Sequence, residues 1–219
     1  MSSCPRPVAA PAPGLTVRLY RAEPARAAVE AYITRRFARC HGARVDSFLP
    51  HLLAAEHDGG CVGALGLRAA GGAPLFLEHY LDAPVEAAVA AAMRQPVERA
   101  QVVEIGNLAT SSRRAGQVLI TLLIEALRGA GFRWLVFTAT RQVRALVQDL
   151  GFALDALAAA DPTRLGGASA AWGRYYDAEP QVMAGDLAAG AAHIRRFAPL
   201  AALTQTHAPA LARIGEALR

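Results

Sequence analysis

The pattern of apolar and polar positions predicts strands that alternate with helices. Apolar residues at every second position across residues 15–19 indicate a first strand with one buried face. Apolar residues at four-residue spacing then predict a helix over residues 23–39, and Gly42 stands where a helix terminator is expected. Residues 51–56 and 61–68 flank an Asp-Gly-Gly turn, which predicts an antiparallel hairpin.

The most apolar part of the chain is a predicted strand followed by a polar loop and a helix. Residues 102–109 form the strand, which carries one carboxylate, Glu104, and is interrupted by Gly106. After the loop, residues 117–128 have the apolar spacing of a helix, and residues 134–140 are predicted as the next strand. Because a crossover of this length joins parallel strands, the pattern predicts a mixed α/β (α+β) fold.

The remaining predicted elements are less regular. Residues 75–81 are predicted as an extended segment, and an alanine-rich helix follows that Asp82 caps and Pro84 begins. A helix is predicted at 143–150 and a last strand at 171–176. From Met183 the pattern is helical, Pro199 interrupts it, and a short helix follows at 209–218. We therefore divide the chain into a disordered tail (1–14), a domain (15–182) and a helical extension (183–219). Apolar residues of the extension, such as Ile194 and Phe197, need a cover, which is either the domain's own surface or a second subunit in a homodimer.

Composition restricts the function classes. The 219 residues suffice for one well-buried domain, and no apolar segment has the roughly 18 residues or more of a membrane span. Prolines interrupt the N-terminal region where a secretory signal would be apolar, so we expect a cytoplasmic protein. The net charge of +5 comes from arginines that are scattered along the chain, which argues against nucleic acid and suits an anionic substrate.

The histidines and cysteines do not indicate a metal site. The three cysteines lack a C-x-x-C spacing, and no histidine pair at i, i+4 is accompanied by a carboxylate. We therefore predict no metal and no permanently bound cofactor.

Three polar residues are candidates for catalysis. Glu104 lies among apolar neighbours, so it is either a base whose pKa burial raises or half of a structural ion pair. Asn107, beside the strand break, either hydrogen-bonds a substrate or satisfies nearby backbone. Glu78 is a second acidic candidate, with a salt bridge as the alternative, and we interpret the adjacent His79 as a framework histidine.

The loop after the central strand is a predicted anion-binding site. A glycine at a helix entrance leaves room for a ligand near the unpaired N–H groups of the first turn, and neighbouring arginines add positive charge. A pyrophosphate fits this description. The candidate cofactor-binding residues in and beside this loop are Leu108, Ala109, Thr110, Arg113, Arg114, Gly116, Gln117 and Val118.

Here the chain resembles the GCN5-related N-acetyltransferase (GNAT) superfamily, whose acyl-CoA loop has the pattern Q/R-x-x-G-x-G/A. Arg113, Gly116 and Val118 occupy its three positions, and Val118 departs from the small residue of the pattern. The resemblance implies a mostly antiparallel central sheet flanked by helices, and a strand break at Gly106 that admits a pantetheine arm. Many members carry a tyrosine acid where this chain has Val147, so the resemblance implies that this acid is absent.

A closer resemblance, to the bacterial thermostable haemolysin family, rests on the segments EIGNLA, LFLEHYLD, FTAT and WGRYY. That family is related to the GNAT fold. EIGNLAT is also similar to the E-x-S-R-F strand of acyl-homoserine-lactone synthases, with Glu104 at the carboxylate and Asn107 in place of the arginine. These resemblances imply acyl transfer.

Our leading hypothesis is an N-acyltransferase that uses acyl-CoA, or the acyl-phosphopantetheine of an acyl carrier protein, and passes the acyl group to a small-molecule amine by direct attack. The alternatives are a membrane-lytic protein, as the family name implies, and a catalytically silent acyl-CoA-binding module. The sequence shows no basic amphipathic helix with large apolar residues, which argues against the lytic alternative.

Overall fold

The computed structural model describes residues 14–22 and 24–219. Apart from Gly14, the predicted N-terminal tail lies outside the described residues. The described chain forms one mixed sheet with helices on both faces, which confirms the predicted fold class.

The sheet is built around a single parallel strand pair. In the described chain its strands are β1 (Leu15–Tyr20), β2 (His51–His57), β3 (Gly60–Ala69), β4 (Val102–Thr110), β5 (Trp134–Ala139), β6 (Asp155–Ala159) and β7 (Gln181–Asp186). Their spatial order is β1-β2-β3-β4-β5-β7-β6. β4 and β5 pair parallel, while the other neighbours pair antiparallel. The predicted hairpin is β2–β3 and the predicted parallel pair is β4–β5.

The helices divide between the two faces of the sheet. They are α1 (Arg26–His41), α2 (Val85–Met93), α3 (Arg113–Gly129), α4 (Arg141–Asp149), α5 (Leu187–Arg196), α6 (Ala198–Thr206) and α7 (Ala208–Leu218). On β4, Val103 and Ile105 pack with α3 and the C-terminal helices, whereas Val102 packs with α2. Since strand side chains alternate between faces, Glu104 points to the face covered by α1 and α2.

The C-terminal helices complete the core beneath α3. Leu187, Ile194, Leu200 and Leu211 are buried in the same cluster as the apolar side of α3. Gly215 of α7 lies against the end of α3, where a Cβ atom would be 3.2 Å from the Ala126 carbonyl oxygen. These apolar side chains therefore pack against the surface of the chain's own domain, which is one of the two possibilities considered from the sequence.

Several predicted elements differ from the structure. Residues 75–81, predicted as extended, contain the 3-10 helix Phe76–Tyr80, which Glu78 stabilises by accepting the backbone N–H of Leu75 at 2.7 Å. The next helix begins at Val85, directly after Pro84. The Asp82 side chain does not cap this helix and pairs with Arg164.

Two errors concern the C-terminal third. The strand predicted at 171–176 is wrong, because the chain there turns through 3-10 segments and Gly173 takes φ of 54°. The Trp172 and Tyr175 rings pack in a tilted arrangement with centroids 5.2 Å apart. Met183 lies in β7, and helical structure begins at Leu187. β7 lies between β5 and β6, so the boundary drawn at 182/183 falls within a strand of the sheet.

Candidate active site

β4 contains a bulge immediately after its glycine. Asn107 and Leu108 together oppose the single residue Leu65 of β3, and Asn107 takes φ of 53°. Asparagine tolerates this left-handed conformation better than most residues. Its side chain accepts the Leu49 N–H at 3.1 Å and donates to the Ser47 carbonyl at 3.2 Å. The Asn107 amide thus holds the segment between α1 and β2 against the bulge. Of the two roles considered for Asn107, the structure shows hydrogen bonds to backbone groups.

The bulge opens the sheet between its two parallel strands. β4 and β5 pair from Val102 opposite Trp134 as far as Ile105 opposite Phe137. Beyond that point β4 continues to Thr110 and β5 to Ala139, but the two strands no longer pair. The break predicted at Gly106 is confirmed.

Two cavities of the described structure meet at this opening. The first, the aromatic cavity, is about 320 Å³ and lies on the face covered by α1. The second, the apolar cavity, is about 410 Å³ and lies between the sheet, α3 and α5. Both volumes fall in the range of about 300–1,000 Å³ that ligand pockets occupy. The residues that line both cavities are Ile105, Leu108, Phe137 and Val143.

Glu104 lies at the wall of the aromatic cavity. Its side chain is buried, with 3% exposure for the residue, and its oxygens accept the N–H groups of Phe76 at 3.1 Å and Leu77 at 2.9 Å. Burial raises the pKa of this carboxyl, and the two hydrogen bonds oppose the rise. Among the described residues no cation lies within 4.0 Å of it. The described structure therefore does not show the ion pair that was considered as the alternative role of Glu104.

Sequence reasoning missed the groups that face Glu104. Arg68 is its cross-strand partner on β3 and lines the same cavity, with Nη1 donating to the Pro74 carbonyl at 3.2 Å. His41, at the end of α1, also lines it, and burial together with the Arg174 charge lowers the pKa of this imidazole. The aromatic wall consists of Phe37, Phe48, Phe76, Tyr80, Trp172 and Tyr175. None of these residues carries a local sequence signal, because the pairing of β3 with β4 that places Arg68 opposite Glu104 joins distant parts of the chain.

Glu78 belongs to a separate ion-pair cluster. It binds Arg99 through both carboxylate oxygens at 2.7 and 2.8 Å and accepts the backbone N–H of Val85 at 2.9 Å. The Arg99 guanidinium holds the pKa of this carboxyl down at about 2. Glu78 does not line the aromatic cavity, so the structure favours its salt-bridge alternative. His79 does line that cavity, and its Nδ1 lies 2.7 Å from the Phe76 carbonyl oxygen.

The predicted donor loop is the first turn of α3. The helix begins at Arg113, four residues earlier than predicted, because Ser112 caps it by accepting the Ala115 N–H at 3.2 Å. Gly116 is consequently inside the helix and buried. A Cβ atom on Gly116 would lie 2.8 Å from Leu146 of α4, so the missing side chain permits close packing of α4 on α3.

The two arginines of this turn are exposed at the protein surface. Arg113 is ion-paired with Asp149 at the end of α4. Arg114 follows it in the same turn. The N-terminal turn of α3 therefore combines backbone N–H groups with two guanidinium groups, an arrangement that suits an anion.

The other predicted donor residues extend from the sheet opening to this turn. Leu108 belongs to the shared wall of the cavities, and Ala109 is buried in the core on the α1 side. Thr110 is half-buried, with Cγ2 and Oγ1 about 3.6 Å from the Cβ position built on Gly116. Gln117 is half-buried, and Val118 is buried in the core, which explains a large residue at that position.

Residues of β5 and α4, the strand and helix that follow α3, form the remaining walls of the two cavities. Thr138 and Thr140 line the aromatic cavity, and Thr140 also caps α4 by accepting the Val143 N–H at 3.4 Å. Tyr175 donates to the Thr138 carbonyl at 3.3 Å, and burial raises the pKa of this phenol. Val147 is buried in the wall of the apolar cavity, so this helix position offers no proton donor.

Within the part of the chain that the structure describes, no cluster of three histidine, cysteine, aspartate or glutamate side chains is placed to hold a metal. None of the helices described has the length and apolarity needed to cross a membrane.

Comparison with known proteins supports the fold and the family. Among curated proteins, no sequence matches this chain. Among solved structures, the acyl-homoserine-lactone synthase LasI superposes with a TM-score of 0.54 at 13% identity, covering 79% of this chain and 90% of its own. A CoA-dependent acyl-homoserine-lactone synthase, BjaI, solved with SAM and isopentyl-CoA, gives 0.53 at 16% identity, covering 92% and 90%.

A third structure, the N-acyl amino acid synthase FeeM from uncultured soil microbes, gives a TM-score of 0.52 at 14% identity, covering 78% of this chain and 89% of its own. At these identities the likeness concerns the fold, which this chain shares with GNAT-like acyltransferases. The family model described as thermostable hemolysin matches residues 19–191, most of the chain. The chain therefore belongs to the thermostable hemolysin family.

Proposed function

We propose that this protein is an N-acyltransferase, which takes an acyl group from acyl-CoA or from the acyl-phosphopantetheine of a carrier protein and transfers it to a small-molecule amine. The observation that carries the proposal is the opening between β4 and β5, at which a cavity suited to an acyl chain meets a cavity suited to a polar acceptor. A thioester held in this opening would be accessible from the acceptor side.

The donor side is supported by charge and shape. Phosphate groups would bind at the first turn of α3, where N–H groups and the Arg113 and Arg114 side chains offer positive charge. The pantetheine arm would enter the opening beside Leu108, and the acyl chain would occupy the apolar cavity beneath α3. Thioesters of this kind are made in the cytoplasm, where we propose that the protein acts.

The acceptor side needs a group that removes a proton, because an ammonium ion cannot attack a thioester. Glu104 is the buried carboxylate on that side, and its raised pKa brings it closer to the range of a useful base. Each of its oxygens accepts one backbone N–H and retains a second lone pair for the amine or for an intervening water. The Arg68 charge favours the ionised, proton-accepting form.

One observation favours a second candidate, the catalytically silent acyl-CoA-binding module. Both Glu104 oxygens already stabilise the start of the 3-10 helix Phe76–Tyr80, so the carboxylate has a structural task irrespective of catalysis. A silent module would bind the donor without product formation.

The test is to incubate the purified protein with acyl-CoA or acyl carrier protein and a panel of primary amines, and to detect N-acylated products by mass spectrometry. We expect amide formation that Glu104→Gln suppresses and that Glu216→Gln, an exposed control on α7, leaves intact. Donor binding by calorimetry without product on any amine would support the silent module instead. Absence of donor binding would refute both.

A further inference from the structure

One anion and one cation stand side by side on the wall of the aromatic cavity. Arg68 of β3 and Glu104 of β4 are directly paired across these antiparallel strands, so their side chains lie on the same face of the sheet, and both line the cavity. Among the described residues, Arg68 forms no ion pair with Glu104 or with any other carboxylate. The cavity therefore presents two opposite charges that do not satisfy each other.

The Arg68 guanidinium keeps most of its hydrogen-bonding capacity. A guanidinium has five N–H donors, and in the described structure this one donates to the Pro74 carbonyl oxygen alone, at 3.2 Å. Arg68 is half-buried, so the aromatic cavity is one of the places where its remaining donors find a partner. The planar fork of an arginine matches the two oxygens of a carboxylate. Arg68 is thus equipped to bind a carboxylate that the protein itself does not supply.

The other ionisable groups of the cavity do not supply that carboxylate. Among the described lining residues, Glu104 is the one acidic side chain. Burial lowers the pKa of the His41 imidazole, which keeps this ring neutral, and His79 Nδ1 is engaged with the Phe76 carbonyl oxygen. The two tyrosines of the lining stay neutral as well, because burial raises the pKa of each phenol. The charged groups of the cavity are therefore one carboxylate and one guanidinium, framed by aromatic rings.

We propose that the acceptor is an α-amino acid with a large apolar side chain, whose ammonium group meets Glu104 and whose carboxylate meets Arg68. The inference rests on the proposed function, since it names the acceptor of the same site. An α-amino acid carries both charges on one carbon atom, which suits an anion and a cation held on adjacent strands. The aromatic wall would pack around the apolar side chain. An amine without a carboxylate would leave Arg68 without a counter-charge.

The transfer is balanced with these two residues as the acceptor's contacts. The ammonium group gives one proton to Glu104, and the nitrogen then bonds to the acyl carbon as the C–S bond of the thioester breaks. The second proton of the nitrogen leaves with the sulfur, which departs as the thiol of the donor, and Glu104 returns its proton to water. The product is an N-acyl amino acid whose carboxylate is still held by Arg68.

The experiment compares three amines that share a phenyl ring and differ in the carboxylate, namely phenylalanine, phenylalanine amide and phenethylamine. The amide is less basic than phenylalanine and phenethylamine is more basic, so a preference for phenylalanine does not follow from basicity. With one thioester donor we expect kcat/KM for phenylalanine to exceed that of each of the others by about 10- to 100-fold, mainly through KM. Aspartate should react more slowly than phenylalanine, because the aromatic wall offers its second charge no partner.

Variants locate the preference at Arg68. Arg68→Gln should lower kcat/KM for phenylalanine to nearly that of phenethylamine, whereas Arg213→Gln, an exposed control on α7, should keep the preference. Loss of the Arg68 charge also raises the pKa of Glu104, but this acts on all acceptors alike, so the ratio isolates carboxylate binding. Arg68→Lys, which keeps the charge without the fork, should show an intermediate preference and serves if Arg68→Gln fails to fold.

The inference is overturned if the three phenyl amines react with similar kcat/KM, or if aspartate reacts as well as phenylalanine. It is also overturned if Arg68→Gln slows every acceptor equally, since Arg68 would then have a structural role. Each of these results leaves the acyltransferase proposal standing, because product still forms. If no amine yields a product, the acyltransferase proposal fails and this inference fails with it.

Discussion

Replacement of Glu104 by glutamine tests the proposed proton transfer most directly. The carboxylate accepts two backbone N–H groups, whereas a glutamine side chain offers one acceptor oxygen and presents its NH₂ group to the second donor. A buried donor that loses its partner costs about 1–3 kcal/mol. We therefore expect Glu104→Gln to fold with a lower Tm, by about 2–4 °C for each kcal/mol in a domain of this size.

The effect on turnover should be much larger than the effect on folding. Removal of the proton acceptor is expected to lower kcat by about 10²- to 10⁴-fold. Donor affinity should change little, because Glu104 lies in the aromatic cavity and the phosphates would bind at α3. Initial rates are measured well below the variant's Tm, with product quantified by mass spectrometry and CoA binding by calorimetry. Glu216→Gln provides the matched control.

The pH dependence gives an independent check. Burial raises the pKa of Glu104 above its unfolded value, so its contribution to stability is fully present below the unfolded value, about 4.3, and is lost as pH rises through the higher folded value. Wild-type protein should therefore gain stability relative to Glu104→Gln as pH falls through that window. The wild-type rate should instead rise with pH through the same ionisation, and the variant should lack this limb.

The reasoning is refuted if Glu104→Gln lowers the Tm but the folded protein retains nearly wild-type kcat and the same pH profile. Glu104 would then be a helix-stabilising residue only. In that case His41, the neighbouring group that burial keeps neutral, becomes the next candidate for proton transfer.

Three further substitutions test other parts of the structure. Glu78→Gln should lower the free energy of unfolding at neutral pH by about 1–3 kcal/mol, allowing for solvent screening, and the loss should vanish as acid titration proceeds from about pH 4 towards the folded-state pKa of about 2. Arg113→Gln should weaken CoA binding about tenfold by calorimetry, whereas Asp149→Asn, which releases Arg113, should not weaken it. Gly215→Val should cost about 1–3 kcal/mol in a denaturant titration because its side chain meets α3, and the exposed Ala212→Val should cost much less.

Each of these has a contrary outcome. A constant Glu78→Gln deficit down to pH 2 would show that packing, not the ion pair, is lost. Equal weakening of CoA binding by Arg113→Gln and Asp149→Asn would mean that the pair only joins α3 to α4. Equal costs at Gly215 and Ala212 would contradict the close approach of α7 to α3.

The sequence by itself determined the elements whose signals are local. Alternation predicted β1, four-residue spacing predicted α1, and the Asp-Gly-Gly turn predicted the β2–β3 hairpin, because strand and helix periods are properties of neighbouring residues. The parallel β4–β5 pair followed from the length of the crossover between the two strands. The break at Gly106 was also predictable, since a glycine in an apolar strand marks a bulge or a close approach.

Tertiary structure alone decided what the polar residues do. Glu104, Glu78 and Asn107 are similar in sequence as isolated polar residues near apolar segments, yet one faces a cavity, one pairs with Arg99 and one secures a bulge. Each outcome depends on partners 20 to 60 positions away in the chain, which periodicity does not report. The position of β7 between β5 and β6 was hidden for the same reason, because its small residues acquire their strand environment from the two neighbours that bury them.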